Sequence, residues 1–280
     1  MTVETTAASE RIRRFFDDLG DEEWQRLEKD LPGRVSLEVH RRFLARFVRP
    51  DMRVLEVGAG PGRFTIELAR LGARGFVTDL SAVQLGLNAE YVRAAGAEHA
   101  VDGRELLDIT RDLDRFDDGS FDAVLAYGGP LSYTFEHADS ALRGLLRVAG
   151  RSGVLVASVM SLLGAWRDRL AGAVELATQL GEDSSDAMLR TGDLRHLQRE
   201  GHVCQLFRAA ELHELVARCG GTVLATSASN WASLGDQAAV ATLAADPDRW
   251  RRFLDHEVRA CAEPGALDGG THILVAATGS

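Results

Sequence analysis

Residues 53–70 (Arg53-Val-Leu-Glu-Val-Gly-Ala-Gly-Pro-Gly-Arg-Phe-Thr-Ile-Glu-Leu-Ala-Arg70) leave this chain few ways to fold. The segment opens on Val54, Leu55 and Val57, the apolar run of a strand buried on both faces. It turns on Gly58, Gly60 and Gly62, then continues as a helix with Phe64, Leu68 and Leu71 on one stripe. Strand, glycine turn and helix in that order build the ligand crevice of an open α/β sheet. The glycines let the backbone approach the ligand, and the helix N-terminus points at it. A dinucleotide fingerprint would need a further glycine at position 63, where Arg63 stands. Glu56 sits two residues before the first glycine, and its carboxylate would repel a pyrophosphate lying on the turn. It suits a ligand that carries a cationic amino group.

The pattern Glu56-x-Gly58-x-Gly60-x-Gly62 resembles the first motif of the class I S-adenosylmethionine (SAM)-dependent methyltransferases, E/D-x-G-x-G-x-G after the first strand. SAM brings both an ammonium and a sulfonium. Arg74 to Asp79 reads as the second strand, and its closing Asp79 falls where this architecture faces the ribose hydroxyls. Ser81 and Gln84 form a capping-box pair that opens a helix from Ala82 to Ala95. A short third strand ending at Val101-Asp102 resembles the family's pattern of an acid that accepts the adenine amine. The resemblance gives that role to Asp102, with Gly103 and Arg104 framing the ring. Phe121 to Tyr127 is a buried fourth strand leading into Gly128-Gly-Pro-Leu-Ser-Tyr133, where the family brings methyl and acceptor together. DNA- and protein-methylating members carry N/D-P-P-Y/F there. Gly128-Gly129-Pro130-Leu131 looks closer to a bacterial small-molecule branch. On this resemblance the cofactor is held by Glu56, Gly58, Ala59, Gly60, Gly62, Asp79, Leu80, Asp102, Gly103, Arg104, Tyr127 and Gly128.

The implied architecture is α/β, a doubly wound, seven-stranded, mostly parallel sheet whose last strand, Thr271 to Ala277, is antiparallel. Around it the chain divides into an N-terminal helical lid (1–50), a SAM-binding core (51–160), an inserted helical cap (161–205) and the C-terminal half of the sheet (206–280). Residues 1–8 are small and polar and read as disordered. Helical spacing starts at Ser9, and a segment carrying Trp24, Leu27 and Leu31 stops at Pro32-Gly33, with Ser36 capping the next helix. In the insertion, Leu162, Leu163, Trp166, Leu170 and Val174 keep helical spacing, and a second helical piece runs from Asp186 to Leu197. Its Arg190, Arg195, His196, Arg199 and His202 read as a solvated face. His202 lies a few residues before the core resumes at Phe207. It joins Tyr133 as a candidate to orient or deprotonate the acceptor from opposite sides; His137 and His196 are poorer candidates.

Composition narrows the partners. A formal net charge of -10 disfavours nucleic acid, since phosphate neutralisation needs a basic face. Cys204, Cys219 and Cys261 are odd in number and widely spaced, so they fit reduced thiols better than disulfides or a zinc site. No apolar run approaches the ~18 residues of a membrane span, and Met1 to Glu10 lacks a signal-peptide layout. The expectation is a cytoplasmic monomer or homodimer that needs no metal and methylates an O, N or C atom of a small molecule. Two alternatives stay open: SAM chemistry other than methyl transfer, and a macromolecular acceptor.

Overall fold

The computed structural model describes residues 3–196 and 202–279. Three helices lead in: α1 (Val3–Leu19), α2 (Glu22–Gln25) and α3 (Leu31–Leu44). The leading helix thus begins at Val3, where the polar residues 1–8 suggested disorder. Pro32-Gly33 opens α3 instead of ending a helix. Asp30 is the cap, its Oδ1 accepting from Gly33 N at 2.8 Å, and a proline in the first turn lacks only an N–H that would have been unsatisfied there. Ser36 is therefore inside the helix, and buried.

The core alternates β1 (Arg53–Val57), α4 (Arg63–Arg70), β2 (Arg74–Asp79), α5 (Ala82–Ala94), β3 (Val101–Leu106), β4 (Ala123–Ala126), α6 (Ala138–Ala149) and β5 (Val154–Met160). A helical insertion follows: α7 (Leu162–Asp168), α8 (Leu170–Leu180) and α9 (Glu182–Thr191). The chain closes with α10 (Ala209–Arg218), β6 (Gly221–Ala228), α11 (Gln237–Ala244), α12 (Pro247–Cys261) and β7 (His272–Gly279).

The strands form one seven-stranded sheet in the order β3-β2-β1-β4-β5-β7-β6, with β7 antiparallel to both its neighbours. This is the sheet expected from the sequence. Strand order reverses between β1 and β4, the switch point beside which open α/β sheets bind ligands. Both faces are covered. Leu55, Val57 and Val124 pack under α6 and α10 through Leu142, Leu145, Leu212 and Leu215. Val54, Leu125 and Val156 pack under α3, α4 and α12 through Val39, Leu44, Leu68 and Leu254.

The insertion has a small core of its own around Leu162, Met188, Cys204 and Leu206, which Tyr133 and Met160 adjoin. The second helical piece runs from 182 to 191 and is followed by a 3-10 turn at Leu194–His196. Its expected end at Leu197, and Arg199, lie outside the described residues. Among the described residues no helix is long and apolar enough to cross a membrane.

Candidate functional site

The glycine turn closes on the ends of β1 and β2. Gly58 has φ +63°, and a Cβ there would meet the Pro130 ring at 2.6 Å, so two loops abut at backbone distance. Asp79, at the end of β2, stitches the turn down. Its Oδ2 accepts from Gly60 N and its Oδ1 from Ser81 N, both at 2.8 Å. Burial pushes this carboxyl up to about 6 against the pull of those bonds.

Glu56 lies beneath the turn and is 2% exposed. Its Oε2 accepts from Thr65 Oγ1 at 2.6 Å, Asn88 Nδ2 donates to Thr65 at 3.0 Å, and Arg104 Nε donates to Asn88 Oδ1 at 2.9 Å. Burial raises Glu56 to about 8, and nearby Asp79 adds to the rise. Arg104 thus supports the turn from behind through this chain of bonds, while its guanidinium pairs with Glu98 at 2.7 and 2.8 Å.

Gly58, Gly60, Asp79, Leu80 and Gly128 line a narrow cavity of about 110 Å³ at the C-terminal ends of β1, β2 and β4. Ala59 and Gly62 shape the turn without facing the cavity. Asp102, Gly103 and Arg104 are not brought to it. The third strand runs on to Leu106, which puts Asp102 at its beginning, on the far edge of the sheet, where Arg74 Nε donates to it at 2.8 Å. Gly103 packs on Phe76. The acid at the cavity edge of the sheet is Asp108, which is buried and lines the cavity with Leu107, Ile109 and Thr110. Its Oδ1 accepts from Thr110 N and Oγ1, and its Oδ2 from Ser9 Oγ at 2.8 Å. The apolar pair Leu106-Leu107 just before it was the available sequence signal. Tyr127 also departs from expectation: it is buried between Phe64 and His40, with its hydroxyl donating to His40 O at 3.3 Å.

Ser9, Ile12 and Phe16 of α1, Glu23 and Gln84 complete the walls. Gln84 Nε2 donates to Phe16 O and Gly20 O, but its buried Oε1 has no partner among the described residues. A buried carbonyl oxygen without a donor is costly, and this one belongs to a cavity wall. Arg63, at the position a dinucleotide fingerprint gives to glycine, holds α2 in place: its guanidinium lies 3.9 Å over the Trp24 ring and donates to Trp24 O.

A second cavity of about 580 Å³ lies beneath the insertion. Its walls are largely apolar: Phe15, Leu19, Met160, Trp166, Leu176 and Leu206 are among them. The two cavities share Phe16, Glu23, Gly128 and Tyr133. Tyr133 Oη and His202 Nε2 are 2.6 Å apart, so they form one bonded pair, not two groups acting from opposite sides. Burial raises the phenol well above its ordinary value and lowers the imidazole, leaving both neutral near pH 7. Ser132 Oγ accepts from Met160 N at 2.9 Å and Ser158 Oγ from Gly128 N at 3.1 Å, tying the Tyr133 loop to β5.

Residues 54–153 match the family model described as a methyltransferase domain. No curated protein matches the chain. Among solved structures, the CcbJ methyltransferase of Streptomyces caelestis aligns with 15% identity over 95% of this chain and 98% of its own, TM-score 0.59. The magnesium protoporphyrin IX methyltransferase of Synechocystis with bound SAH aligns with 14% identity over 96% and 98%, TM-score 0.58. The [4+2]-cyclase SpnF aligns with 18% identity over 85% and 79%, TM-score 0.52. At these identities the likeness shows a shared fold.

Proposed function

We propose that this chain, a methyltransferase by its domain at residues 54–153, uses SAM to methylate a small, mostly apolar molecule held beneath the inserted helices. The observation that carries this reading is the shared wall. One cavity, built on the glycine turn and Asp79, meets a larger apolar one across Gly128 and Tyr133. An acceptor chamber under a helical cap suits a compact molecule better than a polymer.

The residues present fit the cofactor. Asp79 and Asp108 both line the cavity and offer acceptor oxygens, the first for ribose hydroxyls and the second for an adenine amine. Gln84 Oε1 lacks a donor among the described residues. Glu56 lies below the turn, protonated near pH 7 in the ligand-free protein and drawn into its carboxylate form by a cationic end. SAM supplies an electrophilic methyl on its sulfonium; the chain's own residues hold, align and dehydrate the partners. Gly128 and Gly129 add no side-chain bulk between the cavities. Where the acceptor is a hydroxyl or an acidic carbon, Tyr133 Oη takes its proton while passing its own to His202 Nε2.

Calorimetry with S-adenosylhomocysteine tests the cofactor half. Asp79→Ala and Asp108→Ala should each weaken binding by roughly 1–3 kcal/mol, the scale of a lost charged hydrogen bond. Unchanged affinity in both variants and in Gly60→Val would remove the crevice from the reading. The fold shared with SpnF keeps non-methyl chemistry as a second reading. Label from the SAM methyl recovered in a product, with S-adenosylhomocysteine released, supports transfer; turnover with SAM unconsumed favours the rival.

A further inference from the structure

The wall between the cavities carries an ion pair whose charges face different ways. Arg26 Nε lies 2.9 Å from both carboxylate oxygens of Glu23, and Nη2 lies 2.7 Å from Oε1. A Cβ on Gly60 would find Glu23 Cγ at 3.9 Å, and one on Gly128 would find Arg26 Nη2 at 4.0 Å. The Glu23 stem therefore lies beside the cofactor turn and the Arg26 guanidinium beside the transfer loop. The Arg26 side chain keeps 40% of its surface accessible and is one of the residues lining the acceptor cavity.

Guanidinium groups carry five N–H donors. Among the described residues, the hydrogen bonds of the Arg26 guanidinium all end on Glu23, through Nε and Nη2. The Nη1 edge is left to the cavity. The surrounding groups do not offset this charge. Burial first, and the Arg26 charge with it, keep His202 and His272 neutral, and His40 is pushed down to about 4 chiefly by burial. Tyr133 stays a neutral phenol. Asp168 pairs with its neighbour Arg169 at 3.2 Å. An apolar chamber with an incompletely bonded guanidinium, paired among the described residues with Glu23 alone, is complementary to an apolar anion.

We propose that Arg26 anchors a carboxylate on the otherwise apolar acceptor, and that Glu23 competes with that carboxylate until a cation arrives at the glycine turn. The second clause rests on the SAM reading; the first does not. Once a positive ligand lies beside Gly60, Glu23 has a second cation to satisfy, and Arg26 becomes available to the acceptor. Acceptor binding should therefore tighten when the cofactor site is filled.

The test uses the full chain and two probes of one shape, 1-naphthaleneacetate and its neutral isostere 1-naphthaleneacetamide, titrated by calorimetry. The wild-type protein should bind the acid about tenfold more tightly than the amide, the scale of one charge-assisted contact. Arg26→Met should bring the two within about twofold, with the amide unchanged within about threefold, since only the charge contact is lost. Should the stranded Glu23 carboxylate destabilise that variant, Glu23→Gln/Arg26→Met removes both charges and must give the same result. Glu23→Gln alone, or saturation of the wild type with the cationic SAM analogue sinefungin, should tighten acid binding about threefold or more. Equal affinity for acid and amide in the wild type, absence of acid binding, or a preference that survives loss of Arg26 overturns the anchor. An acid affinity unmoved by both Glu23→Gln and sinefungin overturns the competition. Failure of sinefungin and S-adenosylhomocysteine to bind at all counts against the cofactor reading and leaves the acid–amide contrast standing.

Discussion

Glu56 and the Tyr133–His202 pair carry the residue-scale consequences of burial. The folded-state value of Glu56, about 8, lies above its ordinary 4.5, so the folded protein holds a proton that the unfolded chain gives up. Stability from that proton is full below the unfolded value and is lost as pH rises through about 8. The buried histidines act with the opposite sign but are neutral in both states above about pH 7, and the thiols, raised in the fold, add their own loss only as pH nears their unfolded value of about 8.5. The ligand-free protein should therefore lose melting temperature between about pH 7 and 8, and Glu56→Gln should flatten that slope; parallel slopes would refute the assignment. A cationic ligand above the turn favours the ionised form, so its binding near pH 7 should release protons, seen as a calorimetric heat that varies with the buffer. At the cavity wall, Tyr133→Phe or His202→Ala should lower turnover while SAM affinity stays within about threefold, as for groups that meet only the acceptor. Loss of cofactor affinity instead would place the pair on the wrong side of the wall.

At the scale of elements, α1 and the insertion contrast with the sheet they cover. From Ser9 to Leu19 no residue of α1 is fully buried, and α8 buries none either. The helix is held instead by polar links: Ser9 to Asp108, Ser81 to Asp17 at 2.5 Å and Gln84 to Phe16 O at 2.8 Å. Elements with little buried apolar area open at low free energy. Amides of α1 and α8 should exchange faster than those of β1, β4 and β5, and S-adenosylhomocysteine should slow α1; equal protection without ligand would make these helices fixed parts of the core. The same contrast decided what the sequence could reveal. Strands β1, β4 and β5 are buried on both faces, so their unbroken apolar runs fix them and the residues that follow. Glu56 and Gly58 could be placed for that reason. Strand β3 is an edge strand reading Val-Asp-Gly-Arg-Glu-Leu, half exposed and without such a run. Its end therefore falls at Leu106 and not at Asp102, and the acid that the strand delivers to the cavity is Asp108. Ser9, Glu23, Arg26 and Gln84 were invisible as site residues, because their roles depend on how α1 and α2 fold back over the sheet.

Across the whole molecule, the two cavities are distinct chambers built by different parts of the chain. The first belongs to the switch point of the sheet, which any protein of this fold possesses. The second belongs to the insertion and the leading helices, which line most of it. Both have one roof, however. Ile12 and Phe16 cover the first chamber while Phe15, Phe16 and Leu19 cover the second, all from α1. A single helix lining both chambers ties their opening to one movement. The expected outcome is a turnover set by that helix and not by the chemistry, as in enzymes limited by the opening of a closing element. Rapid-quench measurement with saturating substrates should show a burst, a first round faster than those after it, and substitutions that loosen Phe15 or Phe16 should raise the steady rate while leaving the burst in place. A linear time course from the first turnover would mean that the roof lifts faster than the methyl moves.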